Sequence, residues 1–552
     1  MTSMAYNSAA GMGGMMKAGT QHFSNDDEGT QSASVVIRNI EACLQLCQML
    51  STSLGPQGRS KLVVNHLGKI IVTSDCAAIL AEMEVEHPAA RLLQMATSKQ
   101  NEACGDATNL VLTFAGELLW NTLELIHKMG WQHASEIVEG FRIAATRVQK
   151  NLLPMLSHDT ITDVTDEKQL LRILKPVLMS KNMESQDSLG PLVAKACLLV
   201  MTKTANGQHK VSPDAVRSVK ILGSSIHKSE LIEGYVAQRG LETVTTSATD
   251  CKIVVFASGV EASSTEAKGT VLMKNADDLM SYNKTEEAKM EEIIQGIAET
   301  GVKLIVSGGN VSDMALHFMD RYGLMCLRIG SKWELRRLCQ ATGATALVRL
   351  GAPTAEEMGH AGTVEVKEVG ERTVTIIKSA NHESKLATLL LRASTGSVLA
   401  DLERAVEDGV RAVEMVCKDP RIVYGGGAVE MAMAVELTQQ ADKYPGLEQY
   451  AIRAFAKALE VVPKTLASNA GWDSEVLANL KAAHAANPST AGNVCDMGID
   501  IENERITSMK EAGVVDLLGT KMSALKLAVD AALTVLKVDQ IIMSKPSGGP
   551  KM

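Results

Sequence analysis

Aromatic residues are scarce in this 552-residue sequence: Phe, Trp and Tyr together make up 3%, and the formal net charge is −9. Surfaces that bind nucleic acids are usually basic and offer aromatic rings for base stacking, so DNA and RNA are not expected partners. No apolar run approaches the length of a membrane-spanning helix, about 18 residues, and the N-terminus lacks the apolar segment of a signal peptide. These absences predict a cytoplasmic protein with no membrane partner.

Motifs for metals and disulfides are also missing. The ten cysteines include no CxxC pair, and the twelve histidines include no HExxH motif. Zinc sites and disulfide frameworks need such clustered spacings, so we expect reduced cysteines and no transition metal. The chain is several times longer than a typical domain, which predicts about three or four domains.

The hydrophobic period changes twice along the chain. Residues 34–153 have mostly helical spacing, residues 219–378 contain strands interleaved with helices, and the chain is helical again after residue 396. The simplest interpretation is one discontinuous helical domain that carries an α/β insertion, although two independent helical domains would give the same pattern. The predicted fold class is therefore multidomain, with α and α/β parts.

Strand-like runs of β-branched and apolar residues fill the middle segment. Six of them stand out: 250–258, 301–309, 325–330, 345–351, 364–369 and 372–378. Helical runs at 285–299 and 331–341 separate some of these strands. The turn Ser307–Asn310 is interpreted as structural, because it has neither GxGxxG spacing nor the Lys-Ser/Thr of a phosphate loop.

The most informative segment is Cys104–Asn109, with the sequence CGDATN, which lies between two helical runs. Thr108 and Asn109 fall at the start of the second run, and the N-terminus of a helix attracts anions. A carboxylate at Asp106 could hold the magnesium ion that accompanies a phosphate. An ordinary helix cap uses the same residue types, so these six residues alone leave both interpretations open.

Other segments carry groups of the same chemistry. Asp75 follows the second of two strand-like runs, and three glycines, Gly425–Gly427, precede a helical run and permit close approach of the backbone to a ligand. Asp408 lies in a helical run, where a solvated acidic face is the alternative. A flexible turn is the alternative for the glycines.

Read in order, these segments resemble the ATP-site signature of group II chaperonins, the family that includes the eukaryotic cytosolic chaperonin TRiC, also called CCT. The signature comprises Gly55-Pro56-x-Gly58, Ser74-Asp75, Gly105-Asp106-x-Thr108, Asp408 and Gly425–Gly427. Further stretches, such as HPAARLLQMA and SKWELRRLCQATGATAL, are similar to the eukaryotic cytosolic members. The resemblance covers nearly the whole chain.

The resemblance implies a chaperonin architecture with three domains. They comprise a helical equatorial ATPase domain (1–152 and 410–552), a hinged intermediate domain (153–218 and 373–409), and an α/β apical domain (219–372) with a lid protrusion at about 258–292. It also implies a role in a hetero-oligomeric double ring with other chaperonin subunits. Such a ring folds non-native proteins, among which actin and tubulin are the expected clients.

The same resemblance assigns roles to residues. Asp75 and Asp408 position or deprotonate the attacking water, and Asp106 binds Mg²⁺. The expected contacts with ATP or ADP are Leu54, Gly55, Gly105, Asp106, Ala107, Thr108, Asn109, Ser180, Lys181, Gly426 and Asp516, with K⁺ as a further candidate ion. Ser180 and Lys181 resemble the segment that senses the γ-phosphate, and Lys332, Arg336 and Arg337 resemble a client-facing helix.

One departure from the family pattern concerns hydrolysis. The usual GDGTT is GDATN here, with Ala107 and Asn109 replacing Gly and Thr. Alanine is tolerated at negative φ but strained at positive φ. The alternative function is therefore a structural ring subunit that binds nucleotide and hydrolyses it weakly. A small-molecule kinase and a homo-oligomeric archaeal-type chaperonin are more distant alternatives.

Overall fold

The computed structural model describes residues 28–129, 134–181, 186–205, 207–261, 276–379, 386–472, 475–489, 494–501 and 503–542. The chain forms two compact units. The first combines residues up to Gly190 with those from Glu407 onward, and the second is Pro191–Val406. The α/β middle between helical ends, predicted from the hydrophobic period, is confirmed.

The first unit is mainly helical. Its helices are α1 (Glu28–Ser51), α2 (Cys76–Glu82), α3 (Pro88–Cys104), α4 (Thr108–Met129), α5 (Ala134–Arg147), α6 (Leu153–Met155) and α7 (Glu167–Met179), and later α13 (Ala428–Ala441), α14 (Glu448–Leu459), α15 (Val461–Asn469), α16 (Glu475–Ala486), α17 (Met509–Ala512) and α18 (Leu518–Leu536). Two helices, α8 (Gln186–Val200) and α12 (Gly396–Lys418), run across the boundaries of the units.

Short strands complete the first unit. They are β1 (Lys61–Val64), β2 (Ile70–Thr73), β3 (Asp159–Thr160), β15 (Arg421–Tyr424), β16 (Met497–Asp500), β17 (Arg505–Ser508) and β18 (Val515–Leu517). β1 pairs with β2, β16 with β17, and β15 lies between β18 and β3, all antiparallel. The four strands after residue 396 were not predicted, because runs of three or four residues are too short to show a period of two.

The core of the first unit is built from the apolar faces of its helices. In α1, Ile40, Cys43 and Cys47 recur at helical spacing and are buried. Phe455 of α14 packs edge to face on Phe114 and Phe141, with ring centroids 5.4 and 6.0 Å apart. Such aromatic pairs are favourable because of their quadrupoles, so these three rings help to hold α4, α5 and α14 together.

The second unit contains a mixed sheet in the order β10-β9-β8-β12-β13-β7-β14-β6, with β11 beside β8. Its strands are β6 (Val216–Leu222), β7 (Glu230–Ala237), β8 (Ser247–Phe256), β9 (Val302–Ser307), β10 (Met325–Arg328), β11 (Ala346–Leu347), β12 (Gly359–Val369), β13 (Arg372–Lys378) and β14 (Ala387–Ala393). The short pair β4 (Thr202–Lys203) and β5 (His209–Lys210) precedes it. The helices are α9 (Ala276–Glu299), α10 (Asp313–Arg321) and α11 (Lys332–Thr342).

In the second unit, the structure tests the strand predicted at 345–351 and the turn Ser307–Asn310. The strand predicted at 345–351 is wrong beyond Ala346–Leu347, since Val348 points into solvent with 79% of its surface exposed. The glycines of Ser307–Asn310 are explained by packing: a Cβ atom on Gly308 would lie 2.7 Å from the carbonyl oxygen of Ala257. Backbone contact therefore requires glycine at that turn.

Several predicted boundaries remain predictions. Each predicted intermediate segment, 153–218 and 373–409, is divided between the two compact units. Of the predicted lid protrusion, about 258–292, residues 262–275 lie outside the described part of the chain, and α9 occupies the part from Ala276 onward.

None of the helices among the described residues is both long enough and apolar enough to cross a membrane.

Candidate functional site

The loop between α3 and α4 is built around two residues with positive φ. The N–H of Gly105 donates to the carbonyl of Asn101 at 3.0 Å and ends α3, with φ at 72°. Ala107 has φ at 61°, and its carbonyl accepts the N–H of Val111 at 3.3 Å as α4 begins. The backbone therefore turns sharply on either side of Asp106.

Ala107 is a non-glycine residue in the left-handed region, which costs an L-residue about 1 kcal/mol. Its methyl group packs at the edge of the helical core. The departure from the family pattern therefore stores backbone strain, while the methyl group is accommodated by the core. The sequence could not decide this point, because it does not give the sign of φ.

Gly105 lies directly on α12. A Cβ atom at this position would be 2.8 Å from Cδ of Arg411 and 3.2 Å from Cα of Asp408, so close approach as well as positive φ requires glycine. The guanidinium of Arg411 donates to the carbonyls of Asn101 and Glu102, at 3.0 and 2.6 Å. These contacts fix the loop against the helix that carries Asp408.

Three predicted residues form one buried charge cluster. Nζ of Lys181 lies 2.6 Å from Oδ1 of Asp75 and 3.1 Å from Oδ2 of Asp408. Asp75 is 7% exposed and Asp408 5% exposed. The alternative of a solvated acidic face is therefore wrong for Asp408. The structure joins residues from three separate parts of the sequence.

The electrostatics of the cluster follow from its burial. Burial raises the pKa of Asp408 to about 7, the carboxylates of Asp75 and Asp106 add to this, and Lys181 opposes it. Burial alone would lower the pKa of Lys181, but Asp408 and Asp75 outweigh it and raise that pKa. The ammonium group is therefore charged at neutral pH, and Asp408 titrates near the range where a general base works best.

Asp75 is held in place by the start of α2. Its carboxylate accepts the N–H of Ala78 at 3.3 Å, and its own N–H donates to Oγ1 of Thr73 at 3.1 Å. This is the geometry of an N-cap, in which the side chain satisfies a backbone donor of the first turn. The cap orients one oxygen towards the backbone and leaves Oδ1 to Lys181.

Asp106 is only partly buried, so a ligand can reach it. Burial nevertheless raises its pKa; the ammonium groups of Lys181 and Lys521 and the N–H of Ala107 oppose the shift, and Asp516 adds to it. Within the described ranges, no three His, Cys, Asp or Glu side chains form a metal-binding cluster. Mg²⁺ is usually held by one or two carboxylates together with phosphate oxygens and water, and the single Asp106 fits that pattern.

Gln100 was missed by the sequence reasoning. It is fully buried in α3, and its Nε2 donates to the carbonyl of Asp106 at 2.9 Å and to that of Thr520 at 3.3 Å. Its Oε1 accepts the hydroxyl of Ser523 at 2.8 Å. The amide therefore ties the loop to the first turns of α18.

Other predicted contacts have side chains that already serve the fold. Asn109 donates from Nδ2 to the carbonyl of Leu50 and to Oγ of Ser53, at 3.2 and 2.9 Å. It thereby joins the buried start of α4, at Thr108, to the turn after α1. Its contribution to a nucleotide would come from its backbone. Ser180 similarly donates its hydroxyl to Val177 at the end of α7.

Leu54 and Gly55 lie in the turn after α1. The carbonyl of Leu54 accepts Nδ2 of Asn469 at 2.9 Å, which fixes the turn. Gly426 has φ at 61°, and a Cβ atom there would lie 2.5 Å from Sδ of Met509. The glycine turn is therefore packed against the protein, and the alternative of a merely flexible turn is wrong for Gly426.

Asp516 lies beside the triple glycine because β18 pairs with β15. Asp516 is the register partner of Val423, and its Oδ2 is 3.3 Å from where a Cβ atom of Gly425 would be. Its carboxylate also pairs with Lys521 at 3.0 Å. Asp516, a predicted nucleotide contact, and the glycine turn are thus neighbours.

The three predicted client-contact residues lie in the second unit, on α11. Lys332 and Arg336 are exposed, Arg337 is half-buried, and Trp333 beside them is 68% exposed. Leu335 and Leu338 anchor the opposite face of the helix in the core. Single exposed apolar side chains are common on protein surfaces, so the contact with clients stays a prediction.

The sequence pattern of the TCP-1/cpn60 chaperonin family matches residues 46–546. The chain belongs to this family. T-complex protein 1 subunit theta of Bos taurus is 42% identical over 546 residues, which cover 98% of this chain and 96% of the relative. The Arabidopsis thaliana and Dictyostelium discoideum proteins of the same name are 43% and 42% identical over 98% of this chain, and cover 96% and 98% of their own lengths.

Membership of the chaperonin family confirms the predicted fold class and the resemblance to the eukaryotic cytosolic members. Chaperonins are nucleotide-dependent protein-folding chaperones, and binding of the nucleotide at the charge cluster and loop of the first unit stays a prediction. The roles of the individual residues stay predictions.

Proposed function

We propose that the chain is an ATP-hydrolysing subunit of a cytoplasmic ring chaperonin that encloses and folds non-native proteins. The observation that carries the proposal is the juxtaposition of Lys181, Asp75 and Asp408 with the loop around Asp106. It combines a buried ammonium group, two buried carboxylates and a loop with positive φ in one place. Phosphoryl transfer depends mainly on positioning and charge stabilisation, and these are the groups it needs.

In this mechanism each group of the chain has a separate task. Asp106 would hold Mg²⁺, which when bound neutralises charge on the phosphates. Thr108 begins α4, and the free backbone N–H groups at the N-terminus of a helix favour the binding of an anion such as phosphate. Asp408 and Asp75 orient the attacking water and accept its proton, and the raised pKa of Asp408, about 7, suits that acceptor role. Asp516 accepts hydrogen bonds from the ribose.

Lys181 would link the nucleotide to the state of the site. In the structure its charge is shared between two carboxylates. A γ-phosphate competes for the same cation, because phosphate oxygens form strong charge-assisted hydrogen bonds. ATP and ADP would therefore hold Lys181 differently, and this difference couples hydrolysis to the movement of the chain.

Assembly with other subunits is supported by the hairpin β1–β2. Leu62, Val64, Leu67 and Ile70 all expose most of their surface there, and no other strand among the described residues pairs with the hairpin. An exposed apolar hairpin with unpaired edges is a template for another chain. The relatives are named as subunits of T-complex protein 1, so we propose that neighbouring subunits of a hetero-oligomeric ring cover the hairpin.

Actin and tubulin are the proposed clients, with α11 as a contact surface.

The alternative, a subunit that binds nucleotide but hydrolyses it weakly, is favoured by one observation. Ala107 has φ at 61° in the loop that would surround the phosphates. Strain at this position could hold the backbone donors away from their best positions. Comparing Ala107 with glycine at the same position separates the two functions.

Calorimetric titration of the full chain with ATP, with and without Mg²⁺, tests the proposal. We expect Asp106→Asn to weaken Mg²⁺-ATP binding about tenfold and to affect Mg²⁺-free ATP much less, since the carboxylate acts through the ion. Asp530→Asn, at an exposed position in α18, serves as the matched control. Wild-type chain that binds no ATP, or an Asp106 variant that binds both forms normally, would contradict the proposal.

A further inference from the structure

Lys521 stands at the centre of a three-residue ion pair in the first unit. Its Nζ is 3.0 Å from Oδ2 of Asp516 and also pairs with Oε1 of Glu430. Glu430 is completely buried and Lys521 is 8% exposed, whereas the side chain of Asp516 is 31% exposed. The buried side chains of Glu430 and Lys521 thus hold the partly exposed carboxylate of Asp516, which a ligand can reach.

The network joins two segments of the proposed nucleotide site. Glu430 lies in the first turn of α13, directly after Gly425–Gly427, and Asp516 lies in β18 beside Gly425. Lys521 follows in the first turns of α18. A single ammonium group therefore fixes the distance between the glycine turn and the carboxylate next to it.

Burial explains why this arrangement is rigid. A buried carboxylate without a partner is strongly unfavourable, so Glu430 holds Lys521 in place, and Lys521 in turn restricts the carboxylate of Asp516. Within the described ranges, Oε2 of Glu430 meets no hydrogen-bond donor, so the pair with Lys521 is the main interaction that offsets the burial of this carboxylate. Ion pairs of this kind are weak sources of stability but can specify one geometry.

The first turns of α18 also reach the phosphate loop. The carbonyl of Thr520 accepts a hydrogen bond from Gln100, whose amide also binds the carbonyl of Asp106. Burial raises the pKa of Asp106, and the charge of Lys521 opposes that shift. The same helical turn is thus connected to the carboxylate beside the glycines and to the carboxylate proposed for magnesium.

We propose that Lys521 is a positioning residue that, with Glu430, holds the Asp516 carboxylate beside the glycine turn in the orientation that accepts hydrogen bonds from the ribose hydroxyls of the nucleotide. This inference rests on the proposed nucleotide-binding function. Recognition of the sugar would then depend on the ion-paired residues Glu430, Lys521 and Asp516 together, and not on Asp516 alone. The prediction is that losing Lys521 impairs recognition of the sugar specifically.

The test compares the affinity of the full chain for ATP with that for 2′,3′-dideoxy-ATP, which lacks both ribose hydroxyls. A site built to bind a hydroxyl discriminates against the analogue that lacks it. We expect wild-type protein to prefer ATP by about tenfold or more, and we expect both Lys521→Met and Asp516→Asn to reduce that preference at least about fivefold. Lys521→Arg keeps the charge and should restore most of the preference. Lys526→Met, at an exposed position of the same helix, is the control.

Because Lys521→Met leaves Glu430 buried without its cation, the double variant Glu430→Gln/Lys521→Met is measured beside it. Its preference for ATP should also fall. An unchanged preference in the folded variants, while Asp516→Asn loses it, would overturn the role of Lys521 and leave the proposed function intact. Wild-type protein that binds neither nucleotide would instead reject the proposed function.

Discussion

Lys181 lies 3.1 Å from Asp408 although the two residues are far apart in the sequence. Burial opposes the charge on both side chains, and each stabilises the charged form of the other. Removing the ammonium group would favour protonation of Asp408, because Asp75 lies in the same cluster and repels a second negative charge. The ion pair therefore holds Asp408 in the form that can accept a proton.

Lys181→Met should weaken the binding of ATP about tenfold or more and leave ADP within about threefold. The reason is that a γ-phosphate gains a charge-assisted hydrogen bond from Lys181, worth about 1.5–3 kcal/mol. Calorimetric titration with both nucleotides in the presence of Mg²⁺ measures this. Lys175→Met, at an exposed position of α7, is the matched control. Equal loss of affinity for ATP and ADP would argue against a sensor of the γ-phosphate.

Ala107→Gly should stabilise the first unit slightly, by about 0.5 kcal/mol. Relief of the strain at positive φ, about 1 kcal/mol, is partly offset by the greater freedom of glycine in the unfolded chain. Ala107→Val should destabilise, since a β-branched residue adopts positive φ at greater cost. Urea denaturation followed by circular dichroism measures both changes.

The same glycine variant separates the two proposed functions. Since the methyl group of Ala107 packs on the helical core, we expect ATP turnover by Ala107→Gly to stay within about twofold of wild type, well below the roughly tenfold change per 1.4 kcal/mol of barrier. A tenfold or larger rise would favour the weakly hydrolysing subunit. Turnover is measured in assembled rings that carry the variant.

His158 predicts how stability depends on pH. Its ring stacks on Tyr424 with centroids 3.6 Å apart, and burial lowers its pKa to about 4, while the charges of Asp159 and Arg172 act in opposite directions. An unfolded histidine has a pKa of about 6.5. Below about pH 6.5, His158 is therefore protonated in the unfolded chain but still neutral in the folded chain. The free energy of unfolding should fall as the pH drops from about 6.5 to about 4.

His158→Phe keeps the stacked ring and cannot titrate. Urea denaturation at intervals between pH 7.5 and pH 4 should show a smaller loss of stability in this variant than in wild type. Identical slopes would mean that His158 does not contribute to the pH dependence. The comparison is internal, because every other titratable group is shared by the two proteins.

The hairpin β1–β2 should be necessary for assembly. Leu62→Lys/Ile70→Lys places two charges on exposed apolar positions of the hairpin, so the fold and ATP binding of the isolated chain should be unaffected. Incorporation into rings, measured by mass photometry after co-expression with partner subunits, should be lost. Val244→Lys, at an exposed position of the second unit, is the control. Normal incorporation of the hairpin variant would exclude this surface as a ring contact.

Helical spacing predicted most of the architecture, because apolar residues recur every three or four positions along a long amphipathic helix. The helices Pro88–Cys104 and Gly396–Lys418, for example, lie in the stretches predicted to be helical, 34–153 and the part after residue 396. The short strands β15 to β18 were missed, although they bring Asp516 to the glycine turn. Their positions depend on pairing between distant residues, which no local pattern records.

The carboxylates, glycines and Lys181 of the site were predicted from motif order and family resemblance. The supporting residues Gln100, Glu430 and Lys521 were not, because each also has a partner far away in the sequence: Gln100 and Thr520 are 420 positions apart, and Glu430 and Lys521 are 91 apart. One signal was available for Lys521. It is a cation on the buried face of α18, which is otherwise formed mostly by apolar residues, and a charge in such a position requires a partner.

Single-turnover ATP hydrolysis in assembled rings tests the central claim most directly. Rings carry this subunit as wild type, as Asp408→Asn, or as the control Asp401→Asn, which alters a half-buried aspartate one heptad away that pairs with Arg404. We predict that Asp408→Asn retains ATP binding and slows hydrolysis by its own subunit about 10²-fold or more, so that the amplitude of the fast phase falls while the control matches wild type. An unchanged amplitude with Asp408→Asn would contradict the account and make this chain a nucleotide-holding structural member of the ring.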